Sequence, residues 1–165
     1  MNRVVEWYEV WAAQKPVPKA LVVYDTMWRS TDAMADAIVE GVRAESVAVQ
    51  VLRARNHHRS SIAAEYLESG ALVVGTPTLN GCMFPTLADV LSYLKGLKRK
   101  NLIGAVFGSY GWNGEGVVQV KDALAAMKIP LVAEPISVQY VPDEAALERC
   151  RALGREVALK LKEIC

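Results

Sequence analysis

Three short stretches carry the residue types that hold ligands: DTMWRST at 25–31, GTPTLNG at 75–81 and GSYGWNGEG at 108–116. The first sets hydroxyls at Thr26, Ser30 and Thr31 just ahead of a helical pattern. A helix start offers unpaired N–H groups and the positive end of a dipole, so it holds a phosphate without a lysine. Ser30 or Thr31 as a plain helix cap is the competing reading. Three hydroxyls together at the end of an apolar run favour phosphate. The third stretch places Trp112 among Gly111, Gly114 and Gly116, a backbone that can approach a flat ring closely. Trp112 therefore reads as a ligand contact. For Tyr110 and Trp28, stacking on a planar ligand and packing into the core both stand.

Other phosphate chemistries lack their residues. There is no GxxxxGK[ST], so nucleotide hydrolysis on a P-loop is disfavoured. No GxGxxG follows the first apolar run, and Arg53 ends the second where a ribose-binding acid is expected. A phospho-receiver site needs an acidic cluster. Asp25 stands alone, because the third run leads into Gly75, Thr76 and Pro77.

The elements that position these stretches follow from hydropathy. Apolar runs at 20–24, 71–74 and 102–107 are short, continuous and rich in valine and isoleucine, as strands covered on both faces are. Gln50 makes 47–52 a more exposed strand, and Pro135 makes 131–140 an edge strand or a broken pair. Helical spacing of apolar residues marks 31–44, 60–68, 86–95, 115–127 and a long final helix at 143–163. Strands alternating with helices predict a doubly wound α/β fold, a five-stranded parallel sheet in the flavodoxin-like order 2-1-3-4-5 with helices on both faces. Ligands bind such sheets at the carboxyl ends of the strands, where all three stretches fall. Residues 1–18, with Trp7, Tyr8 and Trp11 on one helical face and then Pro16 and Pro18, read as an arm or linker ahead of a domain at 19–165.

Composition narrows the class. The 165 residues suit one domain, and 52% apolar content fills its core. A formal charge of +1 without long runs of one sign argues against nucleic acid. No apolar run reaches the roughly 18 to 20 residues of a membrane helix. Cys82, Cys150 and Cys165 show no CxxC spacing and read as reduced thiols of a cytoplasmic protein, Cys82 as a small packed residue. His57 and His58, adjacent in a loop and without a carboxylate cluster, read as solvated residues, so no metal site is expected.

YDTMWRST, GTPTLNG and FGSYGWNGEG, in this order and spacing, resemble the flavodoxin domain of flavodiiron proteins (A-type flavoproteins). The likeness runs from Lys19 into the final helix at Leu147, Cys150 and Gly154, and the arm resembles the connection after the diiron domain. It implies an FMN site. Thr26, Met27, Trp28, Arg29, Ser30 and Thr31 match the phosphate loop, and Pro77, Thr78, Leu79 and Asn80 flank the isoalloxazine. Ser109, Tyr110, Gly111, Trp112, Asn113 and Gly114 match the loop on its other side, with Asn113 where serine or glycine is common. In flavodoxins a peptide of the second loop turns over to meet the reduced ring, and Gly81 would permit that turn. The resemblance also implies partners: a rubredoxin-like or reductase donor, a diiron domain or subunit, and a homodimer as one expected assembly.

The expected function is an FMN-binding electron-transfer module of an oxygen or nitric oxide reducing flavodiiron system. The chain carries no residues for iron of its own, and the flavin needs no catalytic side chain. Two alternatives are an NAD(P)H-dependent flavin or quinone reductase and an assembly module with a vestigial flavin site.

Overall fold

The computed structural model describes residues 12–165; the Trp7, Tyr8 and Trp11 part of the arm lies outside the described residues. The strands are β1 (Lys19–Tyr24), β2 (Ala48–Arg53), β3 (Ala71–Leu79), β4 (Cys82–Met83), β5 (Ile103–Tyr110) and β6 (Ile136–Gln139). The helices are α1 (Ser30–Ala44), α2 (Arg59–Leu67), α3 (Pro85–Gly96), α4 (Glu115–Ala126) and α5 (Glu144–Ile164), with a 3₁₀ turn at Ala54–Asn56. Five strands are parallel in the order β2-β1-β3-β5-β6, which is 2-1-3-4-5 when only those five are counted.

Alternate residues of each central strand feed opposite layers. Ala20, Val22, Val73, Ala105 and Phe107 pack with α1 and α5. Leu21, Val23, Leu72, Val74 and Val106 pack with α2, α3 and α4. Because both faces are buried, the strands read as unbroken apolar runs. The stretch around Pro135 is a broken pair: Leu131 bridges to Gly104, and pairing resumes at Ile136 on the sheet edge.

One expected boundary moves. The stretch 75–81 is not a loop throughout, since β3 continues through Thr76 and Pro77 to Leu79 and pairs with β5. Asn80 (φ 53°) and Gly81 (φ 71°) then turn the chain into β4, which runs antiparallel to β3 with Leu79 opposite Cys82. Two left-handed residues are what a tight Asn-Gly hairpin turn requires.

α1 and α5 touch through glycine. A Cβ on Gly41 would lie 2.1 Å from the carbonyl oxygen of Arg151, and one on Gly154 would lie 2.1 Å from that of Ile38. Gly154→Ala gains about 1 kcal/mol of helix propensity. Overpacking against backbone costs about 1–3 kcal/mol or more. The variant is therefore expected to melt several degrees lower in a calorimetric scan; an unchanged or higher melting temperature would show that the two helices separate freely.

Candidate functional site

The loop between β1 and α1 is held from below by a buried carboxylate. Asp25 is fully enclosed. Its Oδ1 accepts from the Thr26 N–H at 2.8 Å and from Arg55 Nε at 2.7 Å, with Arg53 Nε at 3.5 Å. Its Oδ2 accepts from the Thr86 hydroxyl at 2.6 Å. Arg55 also donates to the Thr26 carbonyl at 2.7 Å, and its guanidinium lies over the Phe84 ring. The Asp25 N–H donates to the Gly75 carbonyl, tying the loop to β3. Three segments, at Arg53–Arg55, Gly75 and Thr86, thus fix the loop backbone.

Arg29 (φ 67°) turns the chain into α1, and no side chain caps that helix. Capping by Ser30 or Thr31 is therefore replaced by another arrangement, because the cap position belongs to Arg29. Ser30 and Thr31 open the first turn. The buried Thr31 hydroxyl is 3.0 Å from that of Ser109, a hydrogen bond joining α1 to the end of β5. The Thr26 hydroxyl is buried and has no partner. An uncapped start of a 15-residue helix beside an orphaned buried hydroxyl fits a phosphate. Asp32, also in the first turn, accepts from the Tyr24 hydroxyl. Burial, and then that carboxylate, push the Tyr24 pKa up, so Tyr24 stays a donor.

A cleft of about 410 Å³ opens beside this loop. Met27, Trp28 and Ser30 line it from the first stretch, and Pro77, Thr78 and Gly81 from the β3–β4 hairpin. Ser109, Tyr110, Gly111, Trp112 and Asn113 line it from the end of β5 and the following loop. Thr26, Arg29, Thr31, Leu79, Asn80 and Gly114 are not in its wall. Arg29 and Asn80 make turns, Thr31 makes the bond to Ser109, and Gly114 stands at the start of α4. Trp112 is 97% exposed and Trp28 87% exposed, so neither belongs to the core. Large aromatic faces around an apolar cleft suit a flat ring system.

A fourth segment completes the wall. Tyr140 and Val141, after β6, line the cleft and were missed in the sequence. The Tyr140 N–H donates to the Tyr110 carbonyl at 2.8 Å, and the Gln139 side chain donates to the Gly111 carbonyl at 2.9 Å. The rule that ligands sit at strand carboxyl ends points to them, but Pro135 breaks the strand pattern upstream and hides where β6 ends.

Gln119 of α4 braces the hairpin, donating to the Gly81 carbonyl at 3.2 Å and accepting from the Met83 N–H at 3.0 Å. Cys82 is exposed there, which corrects its reading as a packed residue: the side chain of a two-residue edge strand has no layer above it. Cys150 is the packed thiol, and burial pushes its pKa up to about 11. His57 and His58 are exposed, and His58 caps α2 by accepting from the Ser60 N–H. Among the described residues no group of His, Cys, Asp and Glu is placed to hold a metal, and no helix is long and apolar enough to cross a membrane.

The cleft and its helix start, at the carboxyl edge of a 2-1-3-4-5 sheet, define a flavodoxin-type site. The flavodoxin family's sequence profile matches residues 22–154, and the chain belongs to that family, whose cofactor is FMN. Within it the chain matches the flavodoxin-like module of flavodiiron proteins. It is 38% identical over 163 residues to a nitric oxide reductase of Moorella thermoacetica, covering 98% of this chain and 41% of the relative. The structure of rubredoxin oxygen:oxidoreductase from Desulfovibrio gigas superposes with a TM-score of 0.96 at 36% identity, over 98% of this chain and 40% of that one. The flavodiiron protein of Giardia intestinalis superposes with a TM-score of 0.95 at 26% identity, over 100% of this chain and 41% of that one. The chain thus spans about two fifths of the length of these relatives.

Proposed function

We propose that residues 19–165 form an FMN-binding electron-transfer module, placed between a rubredoxin-like or reductase donor and a diiron domain or subunit. The observation that carries the reading is a cleft walled by exposed aromatic rings that Ser30, at the uncapped start of α1, also lines, with the Thr26 hydroxyl, unpartnered among the described residues, buried in the same loop. The chain's relatives include a nitric oxide reductase and a rubredoxin oxygen:oxidoreductase, which supports this choice of partners.

When bound, FMN supplies the electron acceptance and release. The protein's part is binding and placement. First-turn N–H groups of α1 with the Ser30 and Thr26 hydroxyls would hold the phosphate, where the helix dipole favours its charge. Trp112, Trp28 and Tyr140, which line the cleft, would pack against the ring and exclude water from it. Asp25, Arg55 and Gln119 keep the two flanking segments in place. No side chain has to take up or give a proton.

Purified chain stripped of cofactor is expected to bind FMN at one per chain, with flavin absorbance and quenched fluorescence. Failure to bind would overturn the proposal. Rapid bleaching of the bound flavin by NADPH alone would replace it with a reductase.

A further inference from the structure

A second cavity, of about 560 Å³, lies at the other end of the sheet. It opens between the α3–β5 connection and the turn after α4, at the amino ends of the strands. β5 separates the two cavities, and its eight residues at ~3.3 Å each put about 25 Å between them. The connection reads KGLKRKN, and Lys95, Lys98, Arg99, Lys100 and Lys128 all line the cavity. No Asp or Glu is in its described wall. None of these five cations forms an ion pair among the described residues, although most other basic side chains near carboxylates do.

Arg99 is the informative member. It is only 7% exposed, its Nε has no partner among the described residues, and a single nitrogen, Nη2, donates to the carbonyls of Lys15 and Ser69 at 3.3 and 3.5 Å. Burial lowers its pKa, and among the described residues the neighbour opposing that is the Tyr66 hydroxyl, not a carboxylate. A guanidinium withdrawn from water without a counter-charge is costly, and proteins normally supply the anion. Here the described residues do not.

We propose that this cavity is a binding site for a small, multiply charged oxyanion of the phosphate class, with Arg99 at its base and the four lysines around it. Several positive charges on one side suit a polyanion better than a single carboxylate. A guanidinium fork with ammonium point charges is the donor set phosphates take. The depth of Arg99 favours a small ligand over a broad protein surface. The site is independent of the flavin reading, since it shares no residue with the cleft.

The test is a pyrophosphate titration of ¹⁵N-labelled, FMN-loaded chain at constant ionic strength, read by NMR shifts and by calorimetry. Saturable shifts at residues 95–101 and 126–128 are expected, including the Arg99 Nε–H. Arg99→Gln is expected to weaken binding at least tenfold and K95Q/K128Q about tenfold, with the flavin spectrum unchanged. Unchanged affinity in Arg99→Gln would overturn the site. Should that variant fail to fold, full affinity in K95Q/K128Q would overturn it instead. Shifts spread over all lysines, or binding of an acidic peptide but not pyrophosphate, would also overturn it. In chain without FMN the same shifts are expected, and any at Ser30 and Thr31 would report the flavin cleft separately.

Discussion

Thr26→Val is expected to raise the melting temperature of the cofactor-free chain while weakening FMN binding at least tenfold. The Thr26 hydroxyl is buried without a partner. An unsatisfied buried hydroxyl costs about 1–3 kcal/mol, and a methyl of the same shape removes that cost. At this chain length each kcal/mol moves the melting temperature by about 2–4 °C. A hydrogen bond to a charged phosphate contributes about 1.5–3 kcal/mol, which is a ten- to hundredfold change in affinity. The Thr26 N–H bond to Asp25 survives the exchange, so the loop keeps its shape. Opposite signs in one variant identify a residue held in reserve for the ligand. Calorimetry with and without FMN reads both. A lower melting temperature without FMN, or unaltered affinity, would remove Thr26 from the phosphate site.

Asp25→Ala is expected to cost about 3 kcal/mol of stability and to abolish useful FMN affinity. The carboxylate is wholly buried and receives Arg55, Thr86 and the Thr26 N–H. Removing one partner of a buried ion pair costs about 3–5 kcal/mol. The lower end applies, because Arg53 and Arg55 keep roughly a third of their side-chain surface in water. Asp25→Asn keeps the shape and one acceptor and should lose less. Urea unfolding checks the order: midpoints falling from wild type to Asn to Ala are expected. Equal midpoints would mean that the loop holds without this carboxylate.

Strands whose two faces are both covered announce themselves as unbroken apolar runs, which is why β1, β3 and β5 were legible. The hydroxyls before α1 and the glycines around Trp112 were legible for a different reason: they violate what a plain strand–helix junction needs. Gly75, Thr76 and Pro77 misled because they look like breakers, yet β3 runs through them. Asn80-Gly81 carried the hairpin in plain view. Tyr140 and Val141 reach the cleft because Tyr140 and its neighbour Gln139 hydrogen-bond to Tyr110 and Gly111, about thirty positions earlier in the chain, and no local pattern encodes that. The ion pairs gathered by Asp25 from residues 53 and 55, and its bond from residue 86, are hidden in the same way.

The reciprocal glycine contact between α1 and α5 gives the end of the chain authority over a place it never touches. α1 begins at the loop after β1, and its far half is keyed into the backbone of α5 like a bolt in its keeper. Sliding α1 along its own axis would drive Gly41 or Gly154 out of register, so the depth at which the Ser30 end stands in the cleft is set by the neighbouring helix, at the far half of α1. A chain clipped within α5 would thus keep every residue that lines the cleft and still lose the gauge that sets their spacing.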